Sequence, residues 1–197
     1  MNKKIKPYNI VIVGTGGQGL ITLLQVLAEA AMAEGHDFKT SELHGLSQRG
    51  GSVEVHVRLG AKVHSPIVPL AKADLIFALE AQEALRAIKF SHPKSIFLIN
   101  KQIIPIPLQK ALTGEEIMNH VKKTSKAAKL VPAFEICKEK LGKGVTSGIY
   151  LISLAVSRGF LPLSPEAVLG AMKKVMPEKY LALNIKTFDL AKTYEEK

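Results

Sequence analysis

Cysteine, tryptophan and long apolar runs are scarce or missing in this chain of 197 residues. Cys137 is the single cysteine, which excludes an internal disulfide and any cluster site that needs several thiolates from this chain. The longest apolar runs, such as 75–79 and 149–156, fall well short of the ~18 residues that a membrane-spanning helix needs. The apolar run near the basic start is too short for a signal peptide, so we expect a cytoplasmic protein.

Acidic residues are the second scarcity, because 17 Asp and Glu face 27 Lys and Arg, for a net charge of +10. Such a balance favours anionic partners, which include nucleic acid, a phosphorylated cofactor or an acidic protein. No zinc finger, aromatic-rich RNA motif or long basic helix accompanies the lysines, so neither nucleic acid nor a membrane is a predicted partner. A hydrophobic content of 47% predicts one folded domain over residues 1–197, with some apolar surface covered by another protein.

Motifs for catalysis within the chain are also missing. No serine lies in G-x-S-x-G, no Gly-Lys-Ser/Thr of a P-loop occurs, and the six histidines form no H-E-x-x-H. His44, His56 and His64 could approach one another, but their spacing fits no standard metal motif. Cys137 lies in a helical pattern and is interpreted as a small core residue. We therefore predict no catalytic residue and no metal ligand in this chain.

The order of predicted elements favours a Rossmann-like α/β fold, with a mostly parallel sheet flanked by helices and a helical C-terminal layer. Apolar runs predict strands over 8–13, 38–43, 53–59, 73–80, 95–100 and 128–132. Helical spacing, caps and breakers predict helices over 20–34, 81–89, 115–126, 135–141, 145–159 and 165–176, and a final one from Pro177. The alternation in 53–59 indicates a half-buried strand, and the prolines in 101–109 indicate an extended loop or edge.

A glycine cluster between the first strand and the first helix is the most specific local feature. Gly14, Gly16 and Gly19 match G-x-G-x-x-G in "IVIVGTGGQGLITLL". In such a motif the first glycine allows a tight turn, the second lets the backbone approach a pyrophosphate, and the third permits close helix–strand packing. The helix N-terminus adds free N–H groups and the positive end of its dipole. The motif predicts a phosphate site, or a tight turn without a ligand.

A nicotinamide site is one interpretation, because Glu42 follows Gly19 by 23 residues, near the position of a ribose-binding acid. A second glycine-rich loop, "HGLSQRGGS" over 44–52, follows the same strand and does not fit that interpretation. No separate substrate domain remains in the chain, and no tyrosine is followed four residues later by lysine. A self-contained NAD(P)- or flavin-binding reductase therefore stays open as the alternative of another class.

The two glycine loops together carry a resemblance. "GTGGQG", followed some 30 residues later by "SELHGLSQRGGSVEVHVRLG", resembles the gamma-type subunit or domain of the 2-oxoacid:ferredoxin oxidoreductases, and its His-Gly before Arg-Gly-Gly is most similar to the indolepyruvate group. "ADLIFALEAQEALR" and "YLALNIKTFDLA" extend the resemblance over about residues 8–191. Lys143 and Ser147 stand near positions where that family often has asparagine, which puts any contact made by those asparagines in doubt.

The resemblance implies a non-autonomous subunit of an enzyme that oxidatively decarboxylates an aryl pyruvate to an aryl-acetyl-CoA and reduces ferredoxin. A larger alpha subunit, in a heterodimer or heterotetramer, would hold thiamine diphosphate, magnesium and the iron–sulfur clusters, and this chain would contact coenzyme A. Pyruvate, 2-oxoglutarate or branched-chain 2-oxo acids are the alternative substrates. The predicted cofactor-binding residues are Gly14, Gly16, Gly17, Gln18, Gly19, Arg49, Gly50, Gly51 and Ser52.

Overall fold

The computed structural model describes residues 6–45, 50–105 and 111–194. In this part of the chain a six-stranded sheet lies between two layers of helices. The strands are β1 (Tyr8–Thr15), β2 (Asp37–His44), β3 (Ser52–Gly60), β4 (Leu75–Ala78), β5 (Ile96–Asn100) and β6 (Ala127–Val131). The helices are α1 (Leu20–Ala33), α2 (Ala84–Ala87), α3 (Gly114–Val121), α4 (Ala133–Leu141), α5 (Ser147–Ser157), α6 (Pro165–Val175) and α7 (Glu178–Lys192).

The sheet has the order β2-β3-β1-β4-β5-β6. Strands β1, β4, β5 and β6 run parallel, whereas β3 is antiparallel to both β1 and β2. The predicted α/β class and the mostly parallel sheet are therefore confirmed. The insertion of β3 between β1 and β2 keeps β2 parallel to β1, so the carboxyl ends of both strands lie at the same edge of the sheet.

Strand β3 differs from the prediction in how deeply it is buried. Val53, Val55, Val57 and Leu59 point into one core, as their alternation predicts. The prediction that the other side is solvated is wrong at His56, which is 1% exposed. His56 is covered because its Nδ1 accepts the Val68 N–H at 3.1 Å and its ring meets the edge of Phe90.

The two faces of the sheet carry different helices. Residues of α1, α5 and α6 join Ile10, Ile12 and the inward side of β3 in the larger core. Helices α2 and α3 pack on the opposite face of the sheet, against Val11, Ile76 and Phe97. The last helices, α4 to α7, follow β6 without a further described strand, which confirms the predicted C-terminal helical layer.

Helix boundaries follow local signals where those signals are strong. Thr113 caps α3 in a capping box with Glu116, and Ser164 caps α6 before Pro165, as the sequence predicts. The predicted end of α3 near residue 126 is wrong, because the helix ends at Val121. The Thr124 hydroxyl donates to the Val121 carbonyl, and this local bond competes with further helical turns. Of the predicted extended segment 101–109, residues 106–109 lie outside the described residues.

Candidate functional site

The glycine loop after β1 lies at the point where the helical connections change face. The chain leaves β1 toward α1 on one face of the sheet and leaves the neighbouring β4 toward α2 on the other. In open α/β sheets, ligands bind in the crevice that such a change of direction opens at the carboxyl ends of the strands. The crevice between the ends of β1 and β4 is therefore the candidate site.

The glycines of the first loop have other roles than their order in the motif predicts. Gly14 is the seventh residue of β1 and makes no turn. A Cβ on Gly14 would lie 2.7 Å from Gln18 Oε1 and 3.1 Å from Leu79 Cβ, so this glycine permits close packing. Gly17 and Gly19 have φ of +99° and +80° with open space around them, so they provide the turn into α1. The predicted roles of the first and third glycine are thus corrected.

The Gln18 side chain bridges the ends of β1 and β4 at the crevice. Its Oε1 accepts the Thr15 N–H at 2.8 Å, and its Nε2 donates to the Leu79 carbonyl at 3.1 Å and to Gln102 Oε1 at 3.3 Å. The side chain thus joins the end of β1 to the end of β4 and to the segment after β5. These contacts assign Gln18 the task of holding the crevice in shape.

The two glycine loops meet, as their common edge of the sheet predicts. The Gly16 N–H donates to the Gly51 carbonyl at 2.9 Å, and the Gly50 N–H reaches the Gly16 carbonyl at 3.5 Å. Gly50 has a φ of +71°, which favours glycine. Arg49, the predicted cation of this loop, lies outside the described residues.

The last predicted residue of the second loop, Ser52, contacts an acidic residue that sequence reasoning missed. The Ser52 hydroxyl donates to Glu83 Oε1 at 2.8 Å. Glu83 is 8% exposed, and its backbone N–H donates to Glu80 Oε2 at 2.9 Å. Burial raises the pKa of the Glu80 carboxyl above its usual value, although backbone N–H donors oppose the shift. Both acids stand in "ADLIFALEAQEALR", which carries the family resemblance without indicating this contact.

A mostly apolar cleft of about 440 Å³ opens beside the first glycine loop. The first turns of three helices line it, namely α1, α5 and α7. None of these three helices has a side-chain hydrogen bond at its N-cap. The lining residues are Gln18, Gly19, Thr22, Leu23, Val145, Thr146, Gly148, Ile149, Met176, Pro177, Tyr180, Leu183 and Asn184. The N-termini of α1 and α7 offer N–H groups to an anion, whereas the first N–H of α5, that of Ser147, donates to the Gly144 carbonyl. The apolar wall accepts an uncharged group.

A smaller cavity of about 170 Å³ adjoins the same loop, and its lining residue Ser147 contacts Asn100, which the sequence did not indicate. Asn100 is fully buried, and its Nδ2 donates to the Leu79 carbonyl at 3.0 Å while its Oδ1 accepts the Phe134 N–H at 3.1 Å. Ser147 Oγ lies 3.5 Å from Asn100 Nδ2. Ser147, which stands near a position where the family often has asparagine, supplies a polar group to this cavity. The cavity is lined by Gly17, Gln18, Gln102, Ile104, Phe134, Gly144, Val145 and Ser147.

Gly144→Ala is expected to destabilise the protein by about 1–3 kcal/mol, because overpacking forces neighbours to move. A Cβ on Gly144 would come within 2.7 Å of Phe134 Cζ and closer still to two other ring carbons. The matched control is Gly170→Ala, inside α6 with open space around its Cβ, which we expect to stabilise the protein by about 0.5–1 kcal/mol. Urea unfolding of the two variants measures both changes. Shifts of the same sign would contradict the contact between Phe134 and Gly144.

The histidines and Cys137 do not form a second site. His44 Nε2 lies 3.2 Å from Glu42 Oε2, whereas His56 Nε2 lies 2.9 Å from Glu54 Oε1. Within ranges 6–45, 50–105 and 111–194, no group of three His, Cys, Asp or Glu side chains is arranged to hold a metal ion. Cys137 is fully buried, and burial raises the pKa of its thiol, which agrees with its interpretation as a core residue.

The position of β2 weakens the nicotinamide interpretation. A ribose-binding acid belongs on the strand that neighbours the glycine-loop strand, because it must reach the same nucleotide. Here β3 separates β2 from β1, so Glu42 stands two strands, roughly 10 Å, from the strand that precedes the glycine loop. Glu42 also contacts His44. The acid and the glycine loop do not form a dinucleotide site of the usual order.

Comparison with known proteins identifies the class of protein that this fold and crevice define. The chain belongs to the pyruvate ferredoxin/flavodoxin oxidoreductase family, whose model matches residues 9–194. It is 37% identical over 187 residues to the indolepyruvate oxidoreductase subunit IorB of Archaeoglobus fulgidus, and the match covers 92% of each chain. The predicted resemblance is therefore confirmed.

Solved structures share the fold. The gamma subunit of a keto/oxoacid ferredoxin oxidoreductase from Geobacter sulfurreducens superposes with a TM-score of 0.68 at 22% identity, over 94% of this chain and 96% of that one. A 2-oxoglutarate:ferredoxin oxidoreductase from Magnetococcus marinus, solved with 2-oxoglutarate, coenzyme A and succinyl-CoA bound, gives a TM-score of 0.71 at 18% identity. That match covers 96% of this chain and 31% of the longer one. Among the helices described for this chain, none is both long and apolar enough to span a membrane.

Proposed function

We propose that this chain is the small, non-autonomous subunit of a cytoplasmic 2-oxoacid:ferredoxin oxidoreductase that acts on indolepyruvate or a related aryl pyruvate. The observation that carries the proposal is the match of residues 9–194 to the family, together with 37% identity to an indolepyruvate oxidoreductase subunit. The complete enzyme would decarboxylate the aryl pyruvate oxidatively, form an aryl-acetyl-CoA and pass electrons to ferredoxin. Pyruvate, 2-oxoglutarate and branched-chain 2-oxo acids are the competing substrates that an assay separates.

The redox and decarboxylation chemistry would reside in a larger alpha subunit that binds thiamine diphosphate, magnesium and iron–sulfur clusters. A cluster typically needs four thiolates, and this chain has one cysteine, which is buried. Val145 and Tyr180 are 64% and 51% exposed beside the apolar cleft, and a partner surface would cover such side chains. The two subunits would assemble as a heterodimer or heterotetramer.

Coenzyme A is the ligand proposed for the crevice and the cleft beside it. Its phosphates suit the first turns of α1 and α7, where side-chain caps do not occupy the N–H groups. Its uncharged segments suit the apolar wall of the 440 Å³ cleft, which has the volume of a small-molecule site. No side chain of the residue itself blocks the approach of a phosphate to the backbone at five glycines of the two loops, Gly16, Gly17, Gly19, Gly50 and Gly51. Arg49 would supply a cation.

The proposed contribution of this chain is to bind and orient coenzyme A. The crevice offers backbone N–H groups, and the side-chain contacts of Gln18 fix the loop geometry. When bound, coenzyme A supplies the thiol that receives the acyl group. The chain's own residues hold the nucleotide end of the molecule, so the thiol can extend toward the larger subunit.

The isolated chain is expected to show no oxidoreductase turnover and no visible iron–sulfur absorbance. Co-purification with the larger subunit should give turnover that depends on coenzyme A, an aryl pyruvate and ferredoxin together. Activity is measured as ferredoxin reduction with indolepyruvate, pyruvate and 2-oxoglutarate in parallel. Stoichiometric iron and sulfide in the isolated chain, or a preference for pyruvate over indolepyruvate by the complex, would contradict the proposal.

A fluorescence titration separates the alternative of another class. A self-contained reductase would change the fluorescence of NADH or NADPH at micromolar protein, or carry a flavin through purification. We expect neither, because the predicted ribose-binding acid Glu42 is on a strand that β3 separates from β1. Saturable NAD(P)H binding by the isolated chain would favour the reductase.

A further inference from the structure

Glu83 occupies a position that neither the glycine motifs nor the proposed ligand explains. It follows β4, in the turn that leads to α2, while Ser52 begins β3. The two side chains are 31 residues apart in sequence and meet through the 2.8 Å hydrogen bond from Ser52 Oγ to Glu83 Oε1. A single carboxylate therefore links the end of β4 to the second glycine loop.

Ser52 is the residue at which that loop is fastened. Its carbonyl accepts the Gly45 N–H at 3.3 Å, so the two ends of the 45–52 loop are joined there. Ser52 also pairs with Thr15 across β1 and β3. The preceding carbonyl, that of Gly51, accepts the Gly16 N–H. A displacement of Ser52 would thus reach the contact between the two glycine loops.

The Glu83 carboxylate is also held by Arg86, whose Nε donates to Oε1 at 3.3 Å. The Glu83 backbone is fixed by Glu80 Oε2, and Glu80 Oε1 accepts the Ile104 N–H at 3.0 Å. Glu83 Oε2 is buried and lies 3.2 Å from Arg86 Nε, but within the described residues no donor is aligned with it in a hydrogen bond. A buried, charged oxygen that is incompletely satisfied costs stability, so a packing role alone accounts poorly for this residue.

We propose that Glu83 is a positioning residue that holds Ser52, and through it the Gly50–Gly51 backbone, in the geometry that receives coenzyme A. This inference rests on the proposed function of the crevice. Glu83 itself acts through Ser52 and does not touch the ligand. Because its task is to accept the Ser52 hydroxyl, a glutamine at position 83 should perform it and an alanine should not.

The test measures the apparent KM for coenzyme A and the kcat in the two-subunit complex. Glu83→Ala and Ser52→Ala should each raise that KM at least fivefold, with kcat at saturating coenzyme A within twofold of the unchanged complex. Glu83→Gln should restore the KM to within twofold. The double variant should be no worse than either alanine variant, since both remove the same contact. Glu139→Gln, at a side chain 73% exposed on α4, is the matched control and should change nothing.

Hydrogen exchange of the Gly16 amide in the same complex without coenzyme A reports loop geometry independently of ligand binding. Exchange should be at least fivefold faster in both alanine variants and unchanged in Glu83→Gln. If Glu83→Ala folds poorly, Ser52→Ala at its half-buried position still tests the proposal. Unchanged exchange and KM in Ser52→Ala, or a multiplicative effect in the double variant, would overturn the positioning role. If exchange is faster in the alanine variants but the KM for coenzyme A is unchanged in them and in Gly16→Val, the glycine loops do not contact coenzyme A, and the proposed function of the crevice is overturned.

Discussion

Gly16→Val is expected to raise the KM for coenzyme A at least tenfold in the two-subunit complex, which corresponds to about 1.4 kcal/mol of lost binding. The Gly16 N–H and carbonyl both contact the second glycine loop, at Gly51 and Gly50. We expect a branched side chain here to displace that loop or to occupy the space in which a phosphate would approach the backbone. Both outcomes weaken binding without removing a catalytic group, so kcat at saturating coenzyme A should change much less.

The control for this variant is Lys123→Ala. Lys123 lies in the turn between α3 and β6, at the edge of the sheet opposite the glycine loops, because β6 begins there and runs parallel to β1. The Lys123→Ala substitution removes a positive charge from a strongly basic protein at a position remote from the crevice. Similar KM values for coenzyme A in the two variants would show that the glycine loops do not form the binding site.

Arg49→Ala is expected to weaken at least one binding constant of the complex tenfold or more while the melting temperature stays unchanged. The next residue in sequence, Gly50, contacts the first glycine loop through its N–H and the Gly16 carbonyl. A guanidinium can grip a phosphate or a partner carboxylate through two hydrogen bonds, and loss of a buried contact of this kind costs about 2–4 kcal/mol. An exposed ion pair would contribute less than about 1 kcal/mol.

Three measurements separate these cases for Arg49: the melting temperature of the chain, the Kd between subunits and the KM for coenzyme A. Arg49→Lys keeps the charge but loses the planar fork, so an intermediate effect is expected. Lys62→Ala removes an exposed charge just after β3, at the opposite edge of the sheet, and serves as the charge control. If both binding constants of Arg49→Ala stay within twofold, Arg49 is an ordinary surface residue and its assignment to the site is wrong.

Local signals in the sequence predicted most of the elements, although the predicted helix 81–89 is α-helical only over Ala84–Ala87. The apolar run of β1, the spacing of leucines in α1 and the caps Thr113 and Ser164 act within a few residues, so their meaning does not depend on the rest of the fold. The meeting of the two glycine loops was also predictable, because both follow strands that end at the same edge of the sheet.

Features that depend on distant contacts could not be predicted. The antiparallel β3 inserts between β1 and β2 although it follows β2 in sequence, and the alternation of its residues does not reveal which strands it joins. The alternation places His56 on the solvent side of β3, but in the structure the segment around Val68 covers its side chain. The contact of Ser52 with Glu83 and the convergence of three helix N-termini on one cleft likewise arise from packing between remote segments.

Photolabelling the two-subunit complex with an 8-azidoadenine analogue of coenzyme A determines which subunit binds the adenine end of the ligand. Mass spectrometry of the labelled peptides shows which subunit and which residues lie next to the adenine. We expect label in this chain, within segments 144–149 and 176–184 that line the cleft beside the first glycine loop, and we expect excess unlabelled coenzyme A to prevent the labelling. If the label that unlabelled coenzyme A prevents is found only in the larger subunit, this chain does not bind the adenine end of coenzyme A.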